Sequence, residues 1–351
     1  MVANQTNSDQ TSKRLLLALR GKIQLPPPIW LMRQAGRYLP EYRNLRDQAG
    51  SFLDLCYNPK FATAVTLQPV NRFGFDAAIL FSDILLIPHA LGQDVKFTES
   101  IGPQLSPVRN IEDIKKLNSE LDFAHLAAVY ETVSKVASQL SKHVTLIGFA
   151  GAPWTVATYM VEGGTSKNFD LIKGWLFRDP IGFEILISRI TDATIIHLCK
   201  QIEAGAEVVQ LFESWAGVLP AKEFLRWCIR PVKVITERIK ERFPTVPVVA
   251  FPRGAGAGYT GYAEATGIDG LGVDYTLSPT WVAERLQPNV PIQGNLDPQV
   301  LLVGGSAMKA AVSEIKLALN GGPFVFNLGH GVLPQTPPKH VAELVQLVRE
   351  D

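Results

Sequence analysis

Two arginines lie four positions apart in "RQAGR", Arg33 and Arg37, directly after the apolar run "PIWLM" (28–32). A guanidinium is a rigid fork that fits a carboxylate by two parallel hydrogen bonds, so a pair at this spacing suits more than one carboxylate. Gly36 between them has no Cβ and can let backbone approach a ligand. The competing reading is a solvated first turn of a helix. Asp83 sits in "FSDIL", between the apolar runs "AAILF" and "ILLIP". It reads either as an N-cap or as a half-buried carboxylate able to stabilise positive charge on a ligand. His330 in "NLGHG", flanked by Gly329 and Gly331, reads as a ligand contact or as a structural histidine. Ser214 in "FESWAG" has no evident histidine partner and no GxSxG elbow, which favours hydrogen bonding over nucleophilic attack. Tyr159 in "TYMVEGG" reads as core by periodicity, with a site role as the alternative.

These residues need a frame that brings them together. Apolar runs suited to strands occur at 28–32, 77–81, 144–149, 207–212, 246–251, 268–273, 290–295 and 323–328. Amphipathic stretches suited to helices include 111–118, 124–141, 180–204, 221–243, 279–287, 306–319 and 338–350. Eight such βα units predict a single (β/α)8 TIM barrel, whose chemistry gathers at the C-terminal strand ends. Just past the eight runs stand Arg33 and Arg37, Ser82 and Asp83, "AGAPW" (150–154), Glu213 and Ser214, Arg253, Asp274, Asn295 and Asp297, and Asn327 with His330. An open doubly wound sheet would carry a glycine-rich turn after its first strand; "GAGAGYTG" (254–261) follows the fifth. No lysine directly follows a strand, which argues against Schiff-base chemistry, and no His/Cys cluster has metal-ligand spacing, so no metal is expected.

Net charge is +1 over 351 residues, which gives no global electrostatic case for nucleic acid or a membrane surface; recognition of charge has to be local. No apolar run reaches the roughly 18 residues of a membrane span. The first segment, "MVANQTNSDQTSKR", lacks the pattern of a signal or transit peptide. Residues 1–12 read as a mobile tail and 13–351 as one catalytic domain. Cys56, Cys199 and Cys228 fit neither a disulfide framework nor a metal site, so a reducing, cytoplasmic setting is expected.

"PPIWLMRQAGRYLPEYR" and "GFAGAPWTVATYMVEGG" closely resemble the two signature segments of the uroporphyrinogen decarboxylase family, and "LQPVNRFGFDAAILFSDIL", "LFESWAG", "IQGNLDP" and "NLGHG" follow in the family's order. The resemblance implies a single (β/α)8 barrel, a homodimer, and cofactor-free decarboxylation of the four acetate side chains of uroporphyrinogen III to give coproporphyrinogen III. It also implies that Arg33, Gln34, Ala35, Gly36 and Arg37 bind substrate carboxylates and that Asp83 accepts hydrogen bonds from pyrrole N–H groups. Tyr159, Ser214 and His330 would be further substrate contacts, and Phe52 part of the pocket wall. Such a reaction uses the electron-rich pyrrole, protonated on a ring carbon, as its own electron sink, leaving the protein an electrostatic task. Asp83, Arg33 and Arg37 are then the expected catalytic residues. Arg33 is a poor proton donor, since a guanidinium pKa exceeds about 12. Two rivals are a corrinoid-dependent methyltransferase, which would need a zinc the sequence has no ligand pattern for, and a tetrapyrrole-binding protein without catalysis.

Overall fold

Short runs rich in Val, Ile, Leu and Phe become strands that are buried on both faces, because a helix packed outside follows most of them. The computed structural model describes residues 13–98 and 101–350. The tail expected over 1–12 lies outside the described residues. In chain order the strands are β1 (Ala77–Ile79), β2 (Val95–Thr98), β3 (Gly102–Leu105), β4 (Thr145–Gly151), β5 (Val208–Glu213), β6 (Val248–Pro252), β7 (Gly270–Gly272), β8 (Ile292–Leu296) and β9 (Phe324–Leu328). Seven form one parallel sheet in the order β1-β4-β5-β6-β7-β8-β9, while β2 and β3 make a separate antiparallel hairpin that the sequence pattern does not foresee. The long expected helices are present, including Phe123–Gln139, Pro180–Glu203, Gly305–Leu319 and Pro338–Arg349.

The sheet separates two cores. The larger lies between the strands and the outer helices. The smaller joins Ala77 and Ile79 of β1, Ile147 of β4, Val249 and Phe251 of β6, and Val325 of β9, with Trp30 and Met32. Side chains from strands so far apart in the order can share one cluster only because the sheet curls. The helix Arg14–Leu19 fills the inner space from below with Leu15, Leu16, Ala18 and Leu19.

The first expected strand, 28–32, is not a continuous strand. Ile29 makes a single parallel bridge to Phe326 of β9. Phe326 N–H donates to the Pro28 carbonyl (2.9 Å), and Asp76 N–H donates to the Ile29 carbonyl (2.9 Å). The ladder stops there for a local reason. Pro28 has no N–H, and the Ile29 N–H is taken by the Asp76 carboxylate at 2.8 Å. The observed sheet is therefore a curled seven-stranded one. The stretch expected as a single helix over 221–243 is Ala221–Phe224, a wider π turn at Leu225–Ile229, and Arg230–Arg242. Pro231 lies just beyond that turn, and its missing N–H cannot complete the regular ladder. Among the described residues no helix is long and apolar enough to cross a membrane.

Candidate active site

The loop after residues 28–32 is braced from several sides. Met32 N–H donates to Asn327 Oδ1 at 2.9 Å, Leu31 N–H to Gln34 Oε1 at 3.1 Å, and Gln34 Nε2 to the Ala77 carbonyl at 3.1 Å. The Tyr38 hydroxyl donates to the Gln34 carbonyl at 2.8 Å. Gln34 is thus fully buried with its amide spent on the fold, so it shapes the loop instead of presenting its side chain to the cleft. Gly36 answers to the same turn: a Cβ there would lie 3.1 Å from the Arg33 carbonyl. Ala35 packs, half-buried, against the outer core. Arg33 and Arg37 are exposed, and among the described residues neither guanidinium has a hydrogen-bond or ion-pair partner. Arg33 holds φ at 60°, a left-handed conformation costly for a side-chain-bearing residue. Its stem lies across Gly331, where a Cβ would come within 2.3 Å of Arg33 Cδ.

Asp83 stands four residues beyond β1. Its Oδ1 accepts from the Leu85 N–H at 2.8 Å. By surface area the side chain is only half-buried, yet protein atoms crowd its carboxyl. That desolvation pushes its pKa up to about 6, against the Leu85 hydrogen bond and the nearby Arg33 charge, which hold it down. At neutral pH it is a carboxylate that lies close to its titration point.

Tyr159 lies on the helix Pro153–Glu162, half-buried beside Trp215, with ring centroids 6.4 Å apart. Burial raises its phenol pKa, the Asp83 charge raises it further, and Arg33 opposes both. Ser214 is half-buried just after β5 in a stapled turn: Trp215 N–H donates to Thr155 Oγ1 (3.3 Å) and Trp154 Nε1 to the Trp215 carbonyl (3.0 Å). Behind it, fully buried Glu213 accepts from the Thr155 hydroxyl. Burial raises its pKa to about 8, so it carries a proton at neutral pH. His330 is half-buried, and burial together with the charges of Arg33 and Arg253 lowers its pKa to about 3, leaving a neutral imidazole. Phe52 begins the helix Phe52–Cys56 and packs edge-on to Phe81 at 6.0 Å, two residues from Asp83. Phe81 also meets Tyr42 at 5.6 Å, and both Arg37 and Asp83 act on the Tyr42 phenol.

The Arg33 charge thus acts on Asp83, Tyr159 and His330 alike, which gathers the four at one end of the sheet, in the cleft at its strand ends. Arg37 and Phe52 flank it on the Asp83 side and Ser214 on the Trp215 side. A separate groove of about 680 Å³, lined by Leu121, Phe123, Ile185 and Arg189 among others, shares no residue with it. Among the described residues no three His, Cys, Asp or Glu side chains come together as a metal site. Cationic forks around a recessed carboxylate suit a ligand that is acidic at its rim and cationic or N–H-donating at its centre.

Residues 10–351 match the sequence profile described as Uroporphyrinogen decarboxylase (URO-D). The chain belongs to the uroporphyrinogen decarboxylase family. It is 52% identical over 340 residues to a uroporphyrinogen decarboxylase of Rhodospirillum rubrum, covering 97% of this chain and 98% of that one. A uroporphyrinogen decarboxylase of Chelativorans sp. is 53% identical over 338 residues, with 96% and 98% covered. A solved methyltransferase from Methanosarcina mazei superposes with TM-score 0.79 at 21% identity, covering 95% of this chain and 97% of that chain. At that identity the likeness speaks for the fold alone.

For a member of the uroporphyrinogen decarboxylase family, the cleft holds further residues that sequence reasoning did not single out as site residues. Phe149 and Phe212, half-buried and edge-on at 5.7 Å, cap the inner core. Their inward alternation along β4 and β5 was the available signal. The Trp215 indole N–H is buried without a well-aligned acceptor among the described residues, and the Tyr159 hydroxyl lies close to it. Arg253 carries charge that reaches His330.

Proposed function

We propose that this chain decarboxylates uroporphyrinogen III, removing CO2 from each of the four acetate side chains to give coproporphyrinogen III in tetrapyrrole biosynthesis, without a cofactor. The observation that carries this reading is the pairing of a recessed, ionised Asp83 with two guanidiniums that have no partner among the described residues, Arg33 and Arg37. Arg33 and Arg37 engage side-chain carboxylates, and the main chain of Gln34, Ala35 and Gly36 sets their spacing. Asp83 accepts from pyrrole N–H groups. Protonation of a pyrrole ring carbon creates a delocalised cation, which the Asp83 charge favours. The C–CO2 bond then breaks, and its electron pair flows into that cation and neutralises the ring. A second proton on the exocyclic carbon completes the methyl group, and the ring-carbon proton departs. Tyr159, Ser214 and neutral His330 contact the macrocycle by hydrogen bonds, with Phe52 on the wall. Arg33 binds and stabilises; its guanidinium is too weak an acid to be the efficient proton source.

We further read residues 13–351 as one catalytic domain, cytoplasmic and homodimeric. We take 28–32 as the eighth stave of a closed (β/α)8 barrel. The Ile29–Phe326 bridge and the Asp76 N–H bond to Ile29 support that closure. The methyltransferase reading would need a thiol-activating metal site, and the three cysteines are buried apart from one another. Anaerobic incubation of the chain with uroporphyrinogen III, EDTA and no added cofactor tests the proposal. Coproporphyrin fluorescence after oxidation is expected; no product would overturn it.

A further inference from the structure

Arg253 follows β6, and its backbone is fixed. Its N–H is shared by the Glu213 and Phe251 carbonyls, both at 3.1 Å, and its own carbonyl accepts from Gly217 N–H at 3.1 Å. The side chain is half-buried, yet among the described residues its guanidinium has neither a hydrogen-bond nor an ion-pair partner. A cation drawn partly out of water without a counter-charge is costly, so the question is which carboxylate completes it.

The two acids nearest along the strand ends are not available. Asp274, after β7, is saturated: Oδ2 accepts from Gly254 N–H (2.7 Å) and the Tyr259 hydroxyl (2.9 Å). Its Oδ1 accepts from Thr276 N–H (2.9 Å) and the Thr276 hydroxyl (2.5 Å). Glu213 is sealed behind its strand, bonded to Thr155 and neutral at pH 7. Direction is also constrained. β7 and β8 separate β6 from β9 in the sheet, yet the Arg253 charge reaches His330 beyond β9. The inner cluster that joins Phe251 of β6 to Val325 of β9 marks the curl that brings those strands together, and the Arg33 charge reaches His330 as well.

We propose that Arg253 is a third carboxylate-binding arginine of the cleft, holding a side-chain carboxylate of the macrocycle across the ring from Arg33 and Arg37. The inference rests on the decarboxylase reading above and deepens it. Carboxylates surround the whole rim of the substrate, and one loop can grip only one sector. A second point of attachment fixes the rotation of the ring, and so which pyrrole lies over Asp83.

The test compares wild type, R253Q and R253K. With uroporphyrinogen III, R253Q is expected to raise KM at least tenfold, more than it lowers kcat, and R253K to recover only part of the loss. Uroporphyrin III, the oxidised ring that is not turned over, serves as a binding probe by fluorescence. Its Kd should rise about tenfold in R253Q, with a shallower dependence on NaCl between 50 and 300 mM. Unchanged KM and Kd in R253Q, or full recovery by any residue of similar volume such as R253M, would overturn the assignment. If wild type makes no coproporphyrinogen, the decarboxylase reading fails, and the uroporphyrin III titration still decides whether Arg253 binds porphyrin carboxylates.

Discussion

Asp83 and Glu213 stand at the ends of β1 and β5, with β4 between them, and burial raises the pKa of both. Their circumstances then part. Asp83 keeps some exposed surface, feels the Arg33 charge, and titrates near 6, so it is an anion at neutral pH. Glu213 has no exposed surface, is bonded through Thr155 to the turn that carries Ser214, and titrates near 8, so it is neutral. Desolvation alone does not give an acid its role. A neighbouring cation and an open side leave one ionised, and a sealed wall with a hydroxyl partner leaves the other a neutral staple.

The sharpest way to break this contrast is to replace each acid by its amide. D83N should lower kcat by about 100-fold or more while KM moves far less, since a charge matched to a developing cation acts mainly in the transition state. In wild type, kcat/KM should fall about tenfold per pH unit below about 6 as Asp83 takes up its proton, and D83N should lose that limb. Steady-state kinetics between pH 5 and 8 check both, and an unchanged kcat would remove Asp83 from the chemistry. Next in size, R37K should raise KM roughly tenfold, because a point charge cannot reproduce a fork; wild-type KM would deny the two-point grip.

E213Q should be the mildest change, with kcat/KM within about threefold of wild type, because a neutral amide can accept from Thr155 as the protonated carboxyl does. Its signature lies in stability. Glu213 ionises at the ordinary 4.5 when unfolded and near 8 when folded. Below 4.5 both states hold the proton and nothing is lost. As pH rises from 4.5 to 8 only the unfolded state releases it, so wild type should lose stability relative to E213Q, levelling off above about 8. Thermal melts across that window check the sign. An E213Q enzyme as crippled as D83N would collapse the distinction.

The residue pattern disclosed much of this arrangement, and the exceptions share a cause. The strand-end positions of Asp83, Ser214 and His330 follow from apolar runs ending in polar residues. Gln34 belongs with the loop residues by type, but its amide is spent on Leu31 and Ala77, a pairing fixed only when β1 is beside it. The hairpin β2–β3 escaped notice because its residues are mostly half-buried or exposed and form no apolar run. Residues 28–32 look like a strand by composition, while the missing Pro28 N–H and the Asp76 carboxylate decide how little ladder forms. Tyr159 carries a core-like periodicity, and only its position near Asp83 draws it toward the cleft. Arg253 is visible past its strand; that no acid among the described residues pairs with it is a fact of tertiary structure.

The contact between Arg33 and Gly331 has a consequence for how the molecule comes into being. The loop bearing Arg33 is translated well before the residues that make its seat: Asn327 holds Met32, Met32 in turn accepts from Val332 N–H at 2.9 Å, and Gly331 makes room for the arginine stem. Until that last stretch docks, the first arginine has nowhere to rest. The seat thus forms only once residues 327–332 have been made, and a copy clipped before β9 would keep most of its sequence motifs while lacking what holds the Arg33 loop in place.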